Sequence, residues 1–204
     1  MTNWFRTSAL HDRREARQEA CLESTDLCIR ELPFSGKLLL QARGHIDDIR
    51  QSVSDTTGQE LPVRPNSCSP KTGTNSGITL LWLGPEKWLI ILDPDKLCET
   101  RQQLQSELSA IPNLLSDVSD ARTGFEVSGA SARVLLAKVC ALDLDAASFG
   151  AGHCAQSMLV RVPVLVHQVN DRPAFHIYVD RSMARYTWDW LSDAASEFIS
   201  GESS

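Results

Sequence analysis

Apolar residues in the first half of the chain recur with periods that predict a strand, a helix, a hairpin and a second helix. Residues 38–43 form a short apolar run typical of a strand, and the helical pattern that follows ends at Gly58. Residues 84–87 (GPEK) have the composition of a turn between antiparallel strands at 78–83 and 88–92. The first helix is defined by Ile46, Ile49 and Val53, and the second by Leu97, Leu104, Leu108 and Ile111.

The second half of the chain repeats this order. Residues 124–127 alternate as a strand, and a helical face follows over residues 132–140. A long β-like run covers residues 155–169, with Pro163 marking an edge or a bulge, and residues 174–179 alternate after a turn. Two successive β-α-β-β-α patterns predict an α+β fold of two tandem ferredoxin-like (split βαβ) units that share one larger sheet assembly.

The final helix, predicted over about residues 182–199, has an amphipathic pattern. We predict that one apolar arc faces the core, with Trp188 and Ile199 at its edge and polar side chains opposite. The arc consists of Met183, Tyr186, Trp190, Leu191, Ala194 and Phe198.

The two repeats divide a single domain over residues 31–199. Residues before it have few apolar anchors and are predicted to form an arm outside the main core that contacts a partner. Residues 56–77 are rich in Gly, Pro, Ser, Thr and Asn and are predicted to form a mobile or contact loop. The predicted segments are 1–30 (arm), 31–112 and 113–199 (repeats) and 200–204 (tail).

Composition narrows the classes of protein. The chain has 204 residues, of which 42% are hydrophobic and 23% charged, as in an ordinary globular protein. A net charge of -6 without a basic cluster argues against a nucleic-acid partner. No apolar run approaches the ~20 residues of a membrane span, and the first twenty residues lack the apolar region of a secretory signal. We expect a cytoplasmic protein with neither a membrane nor a nucleic-acid partner.

Two patterns could indicate a cofactor or redox site. Residues 150–155 (GAGHCA) fit G-x-G-x-x-A, with Asp171 at about the distance of a ribose-binding acid. A polar segment precedes this motif and a strand pattern follows it, whereas a dinucleotide site needs a strand before and a helix after. The six cysteines include no C-x-x-C pair, so we expect scattered reduced thiols.

Adjacent His153 and Cys154 could suggest a metal or Cys–His nucleophile site with His167 and His176. Neighbouring residues on a strand point to opposite faces, so we expect structural histidines instead. Two nearby carboxylates, Asp143 and Asp145, could bind a cation, but aspartates in extended segments more often form turns and caps.

The tryptophans favour a binding role. Trp82 and Trp88 face each other across the predicted hairpin, while the helical pattern leaves Trp188 partly uncovered, as Trp4 is in the arm. Aromatic side chains are enriched at the cores of protein interfaces. The alternative is that these tryptophans only cover a small core.

Five runs of the chain have a distinctive order and spacing over about residues 78–199. The runs are 81–91 (LWLGPEKWLII), 120–129 (DARTGFEVSG), 135–144 (LLAKVCALDL), 154–157 (CAQS) and 186–191 (YTWDWL). Together they resemble the gamma subunit of heterotetrameric sarcosine oxidase.

The resemblance implies a role in an enzyme assembly. Such assemblies oxidise sarcosine to glycine with oxygen, yielding hydrogen peroxide and either formaldehyde or 5,10-methylenetetrahydrofolate. The resemblance places FAD, FMN, NAD, tetrahydrofolate and zinc in other subunits and no cofactor or metal in this chain. It also implies a fold related to the folate-binding module of glycine-cleavage aminomethyltransferases.

The sequence departs from those transferases at a functional position. Their folate-side carboxylate lies in a strand after the helix of the repeat, where this chain has residues 158–164 (MLVRVPV). The acid is missing, and Arg161 cannot replace it because a guanidinium does not release its proton. The resemblance therefore argues against one-carbon transfer by this chain, although not against folate binding.

The first hypothesis is a non-catalytic gamma subunit whose partners are the alpha, beta and delta subunits of a sarcosine oxidase. A free-standing folate-binding or one-carbon-transfer protein of the same fold is the alternative. A third interpretation, an oxidoreductase acting alone, would require bound flavin. The residues predicted to contact partners are Trp4, Phe5, Arg122, Arg181, Arg185 and Trp188.

Overall fold

The computed structural model of the protein describes residues 8–11, 21–69 and 77–199. The strands are β1 (Cys21–Ser24), β2 (Leu27–Glu31), β3 (Gly36–Ala42), β4 (Cys68–Ser69), β5 (Ile78–Gly84), β6 (Lys87–Leu92), β7 (Asn113–Asp117), β8 (Arg122–Ser128), β9 (Cys154–Leu159), β10 (Val162–Asn170) and β11 (Ala174–Asp180). The helices are α1 (Ile46–Thr57), α2 (Leu97–Glu107), α3 (Ala132–Val139) and α4 (Ala184–Ile199). Single 3-10 turns, Pro94–Lys96 and Arg181–Met183, lead into α2 and α4.

The first sheet has the strand order β4-β5-β6-β3-β7, and all its neighbours are antiparallel. With α1 after β3 and α2 after β6, this order is that of a ferredoxin-like unit with β4 added at one edge. The hairpin pairs Trp82 with Trp88, as predicted. Helix α1 ends as predicted at Gly58, which takes the left-handed φ of 67° that glycine tolerates.

The second sheet repeats the arrangement with a strand from elsewhere in the chain. Its order is β1-β2-β8-β11-β10-β9, so β2 lies beside β8 where β7 lies beside β3 in the first sheet. Strand β2 buries Leu27 and Ile29 in the core. The prediction of an arm outside the core is therefore wrong for residues 21–30. The alternation of apolar and polar residues in this segment is short and is followed closely by Arg30 and Glu31. It therefore does not indicate a strand.

Two other segments differ from the predictions. Residues 155–169, predicted as one β-like run, fall into two strands, β9 and β10. These strands pair through a two-residue turn at Val160 and Arg161. Strand β7 was not predicted, and it extends the first unit from the predicted boundary at residue 112 to residue 117. The predicted loop over residues 56–77 contains β4.

The two sheets pack face to face, with helices on both outer surfaces. Helices α1 and α2 cover the first sheet, and α3 and α4 cover the second. A third apolar cluster fills the space between the sheets. The predicted single sheet assembly is thus two sheets in an α/β/β/α stack. Within the described residues, no helix is both long and apolar enough to cross a membrane.

The buried face of α4 agrees with the prediction only in part: Leu191 is buried, and Ala194 and Phe198 pack partly buried against the core. Trp188 is 7% exposed and packs on Phe125 with ring centroids 6.0 Å apart, so it belongs to the core and not to an uncovered edge. Three members of the predicted core arc are instead exposed: Met183 (44%), Tyr186 (39%) and Trp190 (38%). The buried face consists of Ala184, Thr187, Trp188, Leu191 and Ala195.

Candidate functional site

A partly open cleft of about 540 Å³ lies where the connection from β2 to β3 passes the start of β8. We call it the basic cleft because four basic side chains line it, together with the aromatic rings of Phe34 and Tyr178. The basic residues are Arg30, Lys37, Arg122 and Arg181.

Lys37 is the most buried of these cations, at 3% exposure. Its ammonium Nζ donates to the Ser35 carbonyl oxygen over 3.0 Å and lies 5.4 Å from the Phe34 ring centroid. Burial lowers the pKa of Lys37 to about 8, although the charges of Asp117 and Asp120 oppose that shift. The nearby carboxylates therefore do not fully replace the water that the amine has lost.

Neutral donors engage Glu31, the acidic side chain in the lining of the cleft. Its carboxylate accepts hydrogen bonds from the Ser8 hydroxyl, from the Ala9 backbone N–H over 3.0 Å and from the Thr123 hydroxyl over 3.4 Å. This acid thus ties the segment at residues 8–9 to the sheet.

A carboxylate next to the cleft holds Arg30 in place. Arg30 donates to Glu126 Oε2 from both Nη2 (2.7 Å) and Nε (3.2 Å). His176, whose Nε2 lies 3.8 Å from the same oxygen, and Arg30 lower the pKa of Glu126 to about 2. The guanidinium of Arg30 is thereby fixed at the edge of the cleft.

Ionisable groups also lie between the sheets: Cys68, Cys154, His167 and Tyr178 are buried, and His176 is partly exposed. Cys68 Sγ is 3.4 Å from His167 Nε2, and His176 Nδ1 is 3.3 Å from the Tyr178 hydroxyl. Burial lowers the pKa of His167 to about 3 and raises the pKa of the Cys154 thiol to about 12. Because a reactive cysteine must be accessible and ionised, this cluster is structural.

The other motifs of the sequence form turns. The Asp143 carboxylate accepts from the Asp145 backbone N–H over 3.0 Å, and the Asp145 carboxylate accepts from Ala147 N–H over 2.9 Å. His153 N–H donates to the Gly150 carbonyl, and β9 follows, not a helix. Within the described ranges, no group of three or more His, Cys, Asp and Glu side chains is placed to hold a metal ion.

The structure brings two of the predicted contact residues together. Arg122 and Arg181 both line the basic cleft, and Arg122 Nε lies 3.8 Å from Asp180 Oδ1. Arg185 is exposed one turn further along α4. Trp188 is buried in the core, as described above, while Trp4 and Phe5 lie outside the described residues.

Sequence reasoning missed two features of this surface. Arg30 and Lys37 join the cleft because β2 and β3 enter neighbouring parts of the two sheets, which no local pattern indicates. Met183, in the 3-10 turn before α4, and Tyr186 and Trp190 on α4 form an exposed ridge, and the Tyr186 and Trp190 ring centroids are 6.2 Å apart. Their i, i+3, i+7 spacing was visible in the sequence but was assigned to the core.

Comparison of the fold with solved structures first gives the structural class of the protein. Over 91% of its length the chain superposes on a solved glycine cleavage system aminomethyltransferase T from Bartonella henselae, covering 56% of that chain with a TM-score of 0.67 at 9% identity. This likeness shows the fold alone: tandem ferredoxin-like units of the aminomethyltransferase kind.

Sequence comparisons then show the family. Residues 45–197 match the model of the sarcosine oxidase, gamma subunit family. The chain is 30% identical over 179 residues to the sarcosine oxidase subunit gamma of Corynebacterium sp. (strain U-96), covering 85% of this chain and 82% of that protein. It is 32% identical over 177 residues to the subunit gamma of Corynebacterium sp. (strain P-1), covering 87% and 78%. The chain therefore belongs to the sarcosine oxidase gamma subunit family.

A solved structure supports this membership. A chain of the heterotetrameric sarcosine oxidase from Corynebacterium sp. U-96, in complex with pyrrole 2-carboxylate, matches with a TM-score of 0.83 and 27% identity. The match covers 98% of this chain and 99% of that one. The resemblance inferred from the sequence is confirmed.

Proposed function

We propose that this chain is the non-catalytic gamma subunit of a heterotetrameric sarcosine oxidase. The observation that carries the proposal is the match over almost the full length of both chains to a chain of the Corynebacterium enzyme. The assembly would oxidise sarcosine to glycine and release hydrogen peroxide, with the methyl carbon leaving as formaldehyde or as 5,10-methylenetetrahydrofolate.

The partners in this proposal are alpha, beta and delta subunits in the cytoplasm, which would carry FAD, FMN, NAD, tetrahydrofolate and zinc. The residues of this chain do not fit a folate-transfer site. The segment in question runs through the end of β9, the turn at Val160 and Arg161 and the start of β10, and it contains no carboxylate. A general acid or base is needed there for transfer chemistry.

The ridge of α4 is the surface we assign to subunit contact. Met183, Tyr186 and Trp190 expose large apolar side chains next to one another, and Arg185 lies between them in sequence. Aromatic and Arg side chains of this kind form the anchors of protein interfaces. The predicted contact at Trp188 would act indirectly, because that ring supports the helix from the core.

Co-purification tests the assembly. The tagged chain, co-expressed with the alpha, beta and delta subunits of its own source, should elute with larger chains, flavin absorbance and sarcosine-dependent peroxide release. Trp190→Ala should lose those chains while keeping its own fold. Leu114→Ala, which shortens an exposed apolar side chain on β7 away from α4, is the control and should retain them.

A colourless chain that elutes alone would contradict the proposal. Tetrahydrofolate titration of that lone chain, followed by calorimetry, would then test the alternative of a free-standing folate-binding protein. Saturable binding without partner chains would support the alternative, and no binding would remove it.

A further inference from the structure

We propose that the basic cleft binds a small organic anion through a carboxylate or phosphate group. The cleft has a volume of about 540 Å³, within the usual range of ligand sites of about 300–1,000 Å³. Its lining combines cations from separate parts of the chain: Arg30 on β2, Lys37 on β3, and Arg122 and Arg181 where the start of β8 lies beside the end of β11.

Carboxylates accompany the cations of the cleft, since Glu31 lines it and the charges of Asp117 and Asp120 act on Lys37. Glu126 engages Arg30 from the side, and Asp180 approaches Arg122 no closer than 3.8 Å. The Lys37 ammonium donates to a carbonyl oxygen and not to a carboxylate. An oxyanion in the cleft would therefore gain charge-assisted hydrogen bonds from guanidinium groups, and it would restore the electrostatic environment of the buried amine.

The shape of the cleft favours a small molecule over an acidic protein segment. Lys37 lies at the floor at 3% exposure, where a broad protein surface cannot reach it. Phe34 and Tyr178 form walls that can pack against the apolar body of a ligand. A convex interface would instead place its cations on the rim, where pairing contributes little.

The charge of Lys37 makes the expected affinity dependent on pH. The groups that face it are Asp117 on β7, Asp120 in the β7–β8 connection, and the cleft residues Glu31, Arg122, Arg181 and Tyr178. With a pKa of about 8, the amine is charged at pH 7 and largely neutral at pH 9.5. Anion affinity should fall over that interval, while the arginines stay charged.

Calorimetry on the full chain tests the proposal with two probes at constant ionic strength. Inorganic sulfate represents a tetrahedral oxyanion and succinate represents a carboxylate, and both keep a constant charge from pH 7 to 9.5. Lys37→Met should weaken the binding of at least one probe tenfold or more at pH 7. Arg161→Met, which removes one positive charge from an exposed turn, should bind within twofold of the parent chain.

The pH profile and a second variant keep the test decisive. In the parent chain, affinity should drop at least fivefold between pH 7 and 9.5, and in Lys37→Met it should not. If Lys37→Met fails to fold, Arg122→Gln, at the partly exposed side of the cleft, takes its place with the same tenfold expectation.

Three results would overturn the proposal. One is that neither probe binds the parent chain at millimolar concentration. Another is that the cleft variants bind as well as Arg161→Met. The third is binding of an acidic peptide without binding of either probe, because the cleft would then be a protein docking site.

Discussion

His167 carries a neutral imidazole in the interior between the sheets, at 6% exposure. Burial lowers its pKa from 6.5 to about 3, with a smaller contribution from nearby His176. Below about pH 6.5 the unfolded chain gains a proton that the folded chain does not, so stability is lost as the pH falls toward 3. Between pH 7.5 and 5 the free energy of unfolding should decrease by about 2 kcal/mol from this group.

Urea denaturation at those two pH values checks this prediction. His167→Gln has no titrating imidazole and should show a smaller decrease than the parent chain. The low pKa of Glu126 does not interfere, because its contribution is lost only below about pH 4.5. Equal decreases of the free energy of unfolding in the parent chain and in His167→Gln would contradict the assignment of this pH dependence to His167.

Trp188 and Trp190 have different roles in α4: the first supports the fold from the core, and the second is assigned to partner contact. Trp188→Ala empties a buried position against Phe125 and should reduce the free energy of unfolding by about 3–5 kcal/mol. Trp190→Ala removes a ring that is already 38% exposed and should cost less than about 1 kcal/mol. Denaturant midpoints of the two variants measure the difference, and similar losses would show that the ridge also supports the core.

At the scale of elements, periodicity located α4 but only part of its buried face. The large apolar residues Met183, Tyr186 and Trp190 dominated the pattern over the small Ala184 and Ala195. The small residues let the helix approach the sheet. The hydrophobic pattern emphasises large apolar side chains. Close packing against the sheet instead selects the side chains whose size fits the space between helix and sheet. Arg122 and Arg181 were each predicted to contact a partner, and the cleft joins them because β8 and β11 pair antiparallel.

The turn between β9 and β10 contains a strained valine. Val160 has a φ of 53°, in the left-handed region that β-branched residues avoid at roughly 1–2 kcal/mol. Val160→Gly should therefore raise the free energy of unfolding by about 0.5 kcal/mol, even though the side chain packs partly against the core. Val134→Gly, on the exposed face of α3, should lower it by about 0.5 kcal/mol. Thermal denaturation compares the two, and a loss at Val160 would show that packing outweighs the strain.

At the scale of the whole molecule, the sequence predicted the repeat of two units but not the strand that completes the second sheet. Both β-α-β-β-α units follow from local periods, but the pairing of β2 with β8 joins residues almost a hundred positions apart. No local pattern reports such a partner. Strand β2 thereby makes the second unit depend on a part of the chain that precedes the first unit.

Ile29 tests that dependence, because it pairs with Val127 and is fully buried against α4. Ile29→Ala should lower the free energy of unfolding by about 2–4 kcal/mol, as expected for a core position. Glu23→Ala, on the exposed side of β1, should change it by no more than about 0.5 kcal/mol. Hydrogen exchange in β8 should accelerate only in the first variant, since its amides lose the protection of β2. If β8 exchanged equally slowly in both variants, β2 would be a strand added to a unit that is already stable without it.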